Sequence, residues 1–301
     1  MNYYFVDDQG AKLGGAEMTL QAIIDYGLSI GKSIQKVATR DLGSLIVDSP
    51  AFYVLGNVCD THAPDVAEPL KRILEAPGTF SKIEFDYGYI PYRGTIPYEK
   101  FTGGKYAPHP ANPLEYGYKV LRANAHSIFY MSEVQRKIHK GHLGKAAATE
   151  VVLSSCFTED NLDHMKLIRG FYQEDKADKW TIVDGRDPWQ QWCKGVTHAQ
   201  HAIENTKLSD FKDYEVVKTD SHEALLQILG KNKGYIMLPN IHDTCPRTVI
   251  EARLCGAEVI TNNNVQHCNE SWYDNKTPVE IEEYIRERPA VFWENIPCDS
   301  I

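Results

Sequence analysis

Two carboxylates, Asp243 and Glu251, stand eight positions apart in the sequence. A carboxylate accepts paired hydrogen bonds from vicinal hydroxyl groups, such as those of a ribose or a hexose, so two acids at this spacing could hold one sugar-containing ligand. Thr244 and Thr248, which lie between the acids, add hydroxyl groups without bulk. A second interpretation stays open, in which Asp243 only caps a helix and Glu251 is a solvated helix residue.

The elements predicted around these acids place them where phosphates bind. Residues 235–238 form an apolar run that predicts a buried strand, 249–254 predict a helix ending at Gly256, and 258–261 predict the next strand. The loop 240–248 therefore lies at the carboxyl end of a strand and the amino end of a helix, where open α/β sheets bind ligands. Backbone N–H groups and the helix dipole favour negative charge there.

Two cations, Arg186 and Lys194, stand at another connection of the same kind. Residues 181–183 predict a strand and 196–203 predict a helix, so the cations lie at either end of the connecting loop. Together they could neutralise the diphosphate leaving group of a nucleotide sugar. The alternative is that each cation makes an ordinary surface salt bridge.

A glycine pair, Gly14 and Gly15, follows a strand predicted at 3–6 and precedes a predicted helix. The missing side chains let a phosphate or a sugar approach the backbone, although a tight turn with close packing explains the pair equally well. The sequence is not GxGxxG and no acid closes the second predicted strand, which argues against a nicotinamide-dinucleotide site.

Residues 85–94 are rich in aromatic side chains and follow a strand predicted at 82–85. With Asp86 and Arg93, their rings could form a platform for a sugar, because rings stack on the apolar faces of sugars. Packing of the tyrosines into the core is the alternative. The stretch 94–113 is rich in Gly, Pro and Lys and is predicted to be a mobile surface loop.

The length of 301 residues predicts two domains, and the composition is typical of a globular protein. No apolar run is long enough to cross a bilayer and no basic leader begins the chain, so we expect a cytoplasmic location. Seven scattered cysteines without a CxxC pair argue against disulfides and a zinc site. The net charge of −9 disfavours nucleic acid as a partner, although a local basic groove could exist. The basic run Arg136, Lys137 and Lys140 is either a solvated helix face or a peripheral membrane contact.

Four motifs resemble those of retaining GT-B glycosyltransferases of family four. They occur in the family's order, at nearly its spacing, and span most of the chain. The motifs are Gly14-Gly15-Ala16-Glu17, Ser132-Glu133, Gly185-Arg186 with Lys194-Gly195, and Asp243-x7-Glu251-Ala252 followed by Gly256 and Val259.

This resemblance implies an α/β protein with the GT-B fold, in which two Rossmann-like domains with parallel sheets face each other across a cleft. We expect an acceptor-side domain at 1–150, a nucleotide-sugar-binding domain at 151–275, and a C-terminal helix within 276–301 that packs back on the first domain.

The resemblance also implies roles for single residues. Gly14 and Gly15 would approach the donor diphosphate, and Arg186 and Lys194 would neutralise it. Asp243 would lie near the transferred sugar, and Glu251 would bind the ribose. The backbone of a five-residue loop would bind the phosphates: Thr244, Cys245, Pro246, Arg247 and Thr248.

The sequence departs from the family in two places. Phe85 stands where the family often has His, so we expect Asp86 or His109 to replace the contact that this His makes with the sugar. Asp243 is a shortened form of the family's Glu.

These features predict a retaining, metal-independent hexosyltransferase that needs no cofactor. Its donor would be a UDP- or GDP-linked sugar, and its acceptor a glycan, a lipid or a small molecule. Two other functions stay open: a glycosyltransferase that modifies nucleic acid, and an inactive module that binds nucleotide sugars.

Overall fold

The computed structural model describes residues 1–8, 14–44, 51–58, 64–108, 113–185, 187–205, 213–219 and 221–297. The chain divides into two compact units, one formed by Met1–Thr158 with Glu287–Ile301 and the other by Glu159–Arg286. The first division follows the last strand of the first sheet and so lies later than the predicted boundary at 150. The second division falls within the predicted C-terminal helix, not before it.

Six parallel strands form the sheet of the first unit, in the order β2-β1-β3-β4-β5-β6. β4 and β5 are buried at every position, as expected for central strands of a parallel sheet with both faces covered. The strands are β1 (Asn2–Asp7), β2 (Ser33–Ala38), β3 (Ala51–Leu55), β4 (Phe80–Glu84), β5 (Ser127–Tyr130) and β6 (Thr149–Val152).

Helices connect these strands, and one of them occupies the stretch predicted to be a mobile loop. The helices described before β6 are α1 (Gly15–Ser29), α2 (Pro64–Glu75), α3 (Thr95–Thr102), α4 (Pro113–Asn124) and α5 (Glu133–Leu143). In α3, Pro97 lies in the first turn, where its missing N–H breaks no helical hydrogen bond, and Gly103 ends the helix in the left-handed conformation. Pro and Gly therefore mark the ends of a helix here, and the loop prediction for 94–113 is wrong over α3.

Four parallel strands form the sheet of the second unit, in the order β10-β9-β7-β8. The strands are β7 (Ala177–Val183), β8 (Tyr214–Val217), β9 (Asn232–Met237) and β10 (Glu258–Thr261). The helices are α6 (Glu159–Phe171), α7 (Pro188–Lys194), α8 (Val196–Asn205), α9 (His222–Lys231), α10 (Arg247–Leu254) and α11 (Pro278–Arg286).

The C-terminal helix expected within 276–301 is two helices that belong to different units. α11 stays with the second unit, whereas α12 (Arg288–Glu294), which has Pro289 in its first turn, packs in the first unit. Trp293 of α12 donates from its indole N–H to the carbonyl of Ile23 in α1 (2.8 Å). Its ring also packs edge-on against the ring of Tyr3, with centroids 5.1 Å apart.

The strand order places one topological switch point in each sheet. β1 has β2 on one side and β3 on the other, and β7 likewise lies between β8 and β9. The connections leaving β1 and β3, and those leaving β7 and β9, therefore diverge at the carboxyl edge of each sheet, which is where doubly wound folds bind ligands. Gly14, Lys194 and Asp243 all lie in or next to these connections.

Candidate functional site

The loop between β9 and α10 is held against the junction of α7 and α8. Asn240 donates from its backbone N–H (3.0 Å) and from its side-chain amide (2.8 Å) to carbonyls in the last turn of α7. Gly195 joins the two helices in the left-handed region (φ 69°), and a Cβ there would overlap the carbonyl oxygen of Leu238. Because only glycine meets both demands, this packing fixes the end of α7, and with it Lys194, beside the loop.

The backbone of Asp243 is fixed by the segment that follows β10. Its N–H donates to the carbonyl of Asn264 (2.8 Å), and its carbonyl accepts from the N–H of Gln266 (3.0 Å). The side-chain amides of Asn262 and Asn264 both donate to the carbonyl of Pro239, at 3.0 and 2.8 Å. The run of asparagines after β10 thus holds the acid-bearing loop in place.

Lys194 and Asp243 interact electrostatically at this edge of the second sheet. Burial raises the pKa of the Asp243 carboxyl, and the positive charge of Lys194 opposes that rise. Lys194 does not lie in a loop as predicted, because Asp187 caps α7 by accepting from the N–H of Gln190 (2.9 Å) and the helix runs on to Lys194. Arg186, its predicted partner, lies outside the described residues.

Glu251 lies at the other end of the predicted acid pair and is only 1% exposed. Its Oε1 atom accepts from Nε2 of His222 (2.9 Å) and lies 3.3 Å from Nε of Arg247. Burial acts to raise the pKa of Glu251, but His222 and Arg247 outweigh it and hold this pKa below its usual value. The interpretation of Glu251 as a solvated helix residue therefore does not hold, and the group is a buried, ionised carboxylate.

The amino end of α10 begins immediately after the loop. Pro246 is the N-cap residue and makes no side-chain capping bond, so Asp243 does not cap this helix. The hydroxyl of Thr248 lies 3.2 Å from the hydroxyl of Tyr235 in β9. Of the other residues predicted to bind phosphate, Thr244, Cys245, Pro246 and Arg247 are buried.

Tyr235 shows that both acids act on one region of the second unit. Burial raises the pKa of this phenol, the hydroxyl of Thr248 opposes the rise, and the negative charges of Asp243 and Glu251 add to it. Both carboxylates are therefore close enough to Tyr235 to act on its pKa.

In the first unit, the glycine pair lies at the start of α1. Gly14 is the N-cap residue, and its N–H donates to Oε2 of Glu17 (2.9 Å). A Cβ on Gly14 would lie 2.7 Å from the same carboxylate oxygen. The close packing that the sequence left as an alternative is present here, and the group that approaches the backbone of Gly14 is the Glu17 carboxylate.

Asp7 ends β1 at the switch point of the first sheet, and the sequence did not reveal it as a site residue. Its Oδ1 atom accepts from the N–H of Asn57 (2.6 Å), just after β3. Burial raises the pKa of Asp7 to about 6, against the effect of that hydrogen bond, and Glu17 raises it further. The only available signal was an acid directly after an apolar strand.

Two charged residues of β4 are buried below the same edge. Nζ of Lys82 donates to the carbonyls of Gly56 (2.7 Å) and Ile83 (2.6 Å) and lies 3.9 Å from Oε2 of Glu84. Burial raises the pKa of Glu84 to about 6, and Lys82 opposes that rise. Alternating charges in an otherwise apolar strand were the signal in the sequence.

Asp86, predicted to replace the family's His, is paired with Arg93. The guanidinium of Arg93 forms an ion pair with the Asp86 carboxylate and donates to Oδ1 of Asn57 (2.9 Å). The carbonyl of Asp86 accepts from the amide of Gln135 (3.0 Å) and lies 3.3 Å from Nε2 of the buried His139. Burial raises the pKa of Asp86, and Arg93 opposes the rise. His109, the other predicted replacement, lies outside the described residues.

The aromatic loop that follows β4 divides into a buried part and an exposed part. Tyr87 and Tyr89 are 2% and 0% exposed and pack with His139 of α5. Tyr92 is 53% exposed, and its ring centroid lies 4.7 Å from that of Phe101 in α3. The first tyrosines therefore belong to the core, and only the last could act as a platform.

The basic run on α5 is partly neutralised within its own helix. Arg136 and Lys137 lie 2.8 and 3.9 Å from the carboxylate of Glu133, while Lys140 is exposed. Contact of this run with a membrane surface stays a prediction. Among the described residues, no helix has the length and apolar character needed to cross a bilayer.

No protein-family model and no curated protein sequence matches this chain. Solved structures do match it along nearly its whole length. An α-glucosyltransferase in complex with UDP and a 13-mer DNA containing a HMU base has a TM-score of 0.57 at 9% identity, with 98% of this chain and 90% of that chain covered. Sucrose-phosphate synthase from Thermosynechococcus elongatus has a TM-score of 0.56 at 12% identity, with 97% and 95% covered. WaaG, a glycosyltransferase involved in lipopolysaccharide biosynthesis, has a TM-score of 0.53 at 11% identity, with 98% and 94% covered.

These structures share one architecture of two parallel-sheet units. The chain has the GT-B fold. Anabaena Alr3699/HepE in complex with UDP-glucose is also similar, with a TM-score of 0.51 at 14% identity and 98% and 90% of the two chains covered. The fold expected from the sequence motifs is thus confirmed.

Each unit of this GT-B chain brings part of the predicted site together. In the second unit, Lys194 acts on Asp243 in the loop before α10, and Glu251 lies within that helix. The sequence missed His222, which reaches Glu251 from α9, because its signal was only a Ser-His pair at a helix start. In the first unit, Asp86 pairs with Arg93. The sequence did not predict the buried pair of Lys82 and Glu84 on β4.

Proposed function

We propose that the protein transfers a hexosyl unit from a UDP-linked sugar to a hydroxyl group of an acceptor, with retention of configuration. The observation that carries this proposal is the arrangement around α10, where Lys194 acts on Asp243 and the buried Glu251 lies beyond the helix start. A cation suits a diphosphate leaving group, and carboxylates suit sugar hydroxyl groups. Similar solved structures contain UDP or UDP-glucose, which favours UDP over GDP as the carrier.

The residues divide the work between leaving group, nucleoside and sugar. When the bond between the anomeric carbon and the diphosphate breaks, negative charge develops on the leaving oxygen. Lys194, with Arg186, would stabilise that charge, and the N–H groups at the start of α10 would bind the diphosphate. Glu251, held ionised by His222 and Arg247, would accept from the ribose hydroxyl groups.

Asp243 would act beside the transferred sugar, where positive charge builds up on the ring. Burial raises the pKa of its carboxyl, which makes this acid easier to protonate than an exposed one, and Lys194 opposes that rise. Asp86 would orient the sugar or the acceptor from the first unit. Neither a metal ion nor a cofactor has a role in this proposal.

The proposal is tested by incubating the protein with UDP-glucose, UDP-galactose and GDP-mannose and measuring release of the nucleoside diphosphate, with water and simple glycosides as acceptors. Proton NMR of the first product then gives the anomeric configuration, and parallel reactions with EDTA test the metal. Release of UDP with a retained anomer is expected, at an unchanged rate in EDTA. Binding of UDP without turnover of any donor would instead identify an inactive nucleotide-sugar-binding module.

Nucleic acid is a second candidate for the acceptor. Two of the similar solved structures hold a 13-mer DNA with a HMU base beside UDP. Whether a nucleic acid suits this chain depends on its local surface charge and not on the total of −9.

A further inference from the structure

A strained turn in the first unit presents an aromatic side chain to solvent. Tyr92 and Arg93 both have φ of 61°, a left-handed conformation that non-glycine residues seldom adopt. Arg93 holds the turn in place, because its N–H donates to the carbonyl of Ile90 (2.9 Å) and its guanidinium binds Asp86 and Asn57. Strain of this kind persists where the surroundings enforce it, and such positions cluster at functional sites.

The turn places Tyr92 beside an equally exposed ring. Tyr92 and Phe101 are each 53% exposed, and their rings are tilted by 31° with centroids 4.7 Å apart. They differ in this from Tyr87 and Tyr89 of the same loop, which are buried. The two rings pack on each other, but about half of each side chain faces water instead of the core. Their exposed faces could therefore stack on a ligand.

Two exposed lysines, Lys100 and Lys105, lie on the segment that carries Phe101. Residues 92–106 contain Arg93, Lys100 and Lys105 against one acid, Glu99. The end of α5 packs against the same segment, because the ring of Tyr106 lies 5.6 Å from that of His142. Residues 133–145 add the exposed Lys140, whereas Arg136 and Lys137 lie against Glu133, so exposed lysines occur on both elements.

We infer that this surface, defined by Tyr92, Phe101, Lys100 and Lys105, binds a single strand of nucleic acid. Aromatic rings stack on unpaired bases whatever their identity, and lysines follow the phosphates. The inference rests on the proposed function in one respect, because it makes the acceptor hydroxyl part of a nucleic acid.

The test is the affinity for a fluorescein-labelled single-stranded oligonucleotide, measured by fluorescence anisotropy at several salt concentrations. Tyr92→Asn and Phe101→Ala should each weaken binding about tenfold, the loss expected for one stacked base. Asn tolerates the left-handed backbone, so Tyr92→Asn removes the ring without adding strain. Tyr92→Phe keeps the ring and should bind like the unchanged protein.

Matched controls come from the second unit. Phe171→Ala removes a ring that is 79% exposed there, and Lys166→Gln removes an exposed cation. Neither change should alter affinity, whereas replacing both Lys100 and Lys105 with Gln should flatten the dependence of affinity on salt. Thermal melting of every variant shows whether the fold is kept.

Three results would overturn the inference. The first is no binding of the oligonucleotide even at low salt, and the second is binding by the ring variants as tight as that of the Phe171 control. The third is binding to vesicles containing phosphatidylserine through Tyr92 and Phe101 without binding to the oligonucleotide, which would make the surface a membrane contact. Because the assay contains no donor sugar, it reads nucleic-acid binding separately from glycosyl transfer.

Discussion

The positive charge of Lys194 acts on Asp243. Removing Lys194 should therefore show what this charge contributes to the reaction. If it stabilises the leaving diphosphate, Lys194→Ala should lower kcat by about a hundredfold, the cost typical of losing one such electrostatic contact. Steady-state kinetics with a UDP-sugar measure this loss. Lys233→Ala is the matched control, because Lys233 is an exposed residue of β9 whose ammonium pairs with Asp178. Equal kcat values in both variants would remove Lys194 from the proposed mechanism.

Substitutions of Asp243 and Glu251 should impair the reaction in different ways. Glu251→Gln should mainly raise KM for the donor, because ribose binding contributes equally to the ground state and the transition state. Asp243→Asn should mainly lower kcat, because its charge matters as the ring becomes positive. The affinity for free UDP, measured by calorimetry, separates the two cases.

Asp243→Glu restores the family's residue and should keep activity. Glu251 is buried with His222 and Arg247, so its variant must also be checked by thermal melting. A loss of UDP affinity in Asp243→Asn but not in Glu251→Gln would reverse the assigned roles.

Asp7 should make stability depend on pH. Burial raises its pKa from 3.8 to about 6, so the folded chain keeps a proton that the unfolded chain releases between those values. The free energy of unfolding therefore falls as pH rises from about 4 to about 6, and above that range burial of the Asp7 charge costs about 3 kcal/mol.

Asp7→Asn keeps an oxygen that can accept from the N–H of Asn57 but cannot ionise. It should match the unchanged protein at pH 4 and be more stable at pH 7. Urea unfolding at both pH values measures the difference. A parallel decline in both proteins would show that Asp7 does not titrate in this range.

Among the helices and strands, the sequence predicted those that have a clear local residue pattern. It missed features that depend on contacts between residues far apart in the chain. Strand β10 has the predicted limits of 258–261, because it is a short run rich in β-branched residues between turns. The helix α7 was not predicted, since Trp189 and Trp192 obscure its pattern and its capping acid, Asp187, directly precedes a proline. The partner of Glu251 could not be predicted, because His222 reaches it from a different helix.

Adding a single methyl group at the junction of α7 and α8 should have a large effect on stability. Gly195→Ala should destabilise the protein in two ways, through its left-handed φ of 69° and through overlap with the carbonyl of Leu238. Gly103→Ala is the control, because φ there is 71° but nothing lies near the added Cβ. The control should cost about 1 kcal/mol, and Gly195→Ala clearly more.

Activity should distinguish the two glycines further. Gly195→Ala moves the end of α7 and therefore Lys194, so kcat should fall even at a temperature where the variant is folded. Gly103→Ala should leave turnover of the donor with a simple glycoside unchanged. Equal melting temperatures for the two variants would show that the α7–α8 junction adapts to a methyl group.

At the scale of the whole molecule, the GT-B fold could be predicted from motifs that the chain carries in order. Within the first unit, the core is completed by residues from the far end of the chain. Phe292 of α12 packs with Phe129 of β5, their centroids 4.6 Å apart, and Trp293 packs with Tyr3 of β1. The chain thus leaves the first unit after Thr158 and returns to it at Glu287.

This return predicts that the last helix stabilises the first unit. Trp293 is 4% exposed, and a Cβ on Gly27 of α1 would overlap its ring, which shows how closely α1 and α12 pack. Trp293→Ala should therefore lower the free energy of unfolding by about 3–5 kcal/mol, through lost apolar contact and a cavity. Trp189→Ala, which removes a ring that is 39% exposed in the second unit, should cost much less.

Hydrogen exchange can locate the effect as well as measure it. In Trp293→Ala, amides of β1 and α1 should exchange faster, because both contact the lost ring, while amides of β9 in the second unit should keep their protection. Faster exchange spread evenly over both units would mean that they unfold as one cooperative body. Unchanged exchange in β1 and α1 would mean that the first unit is stable without the contacts of α12.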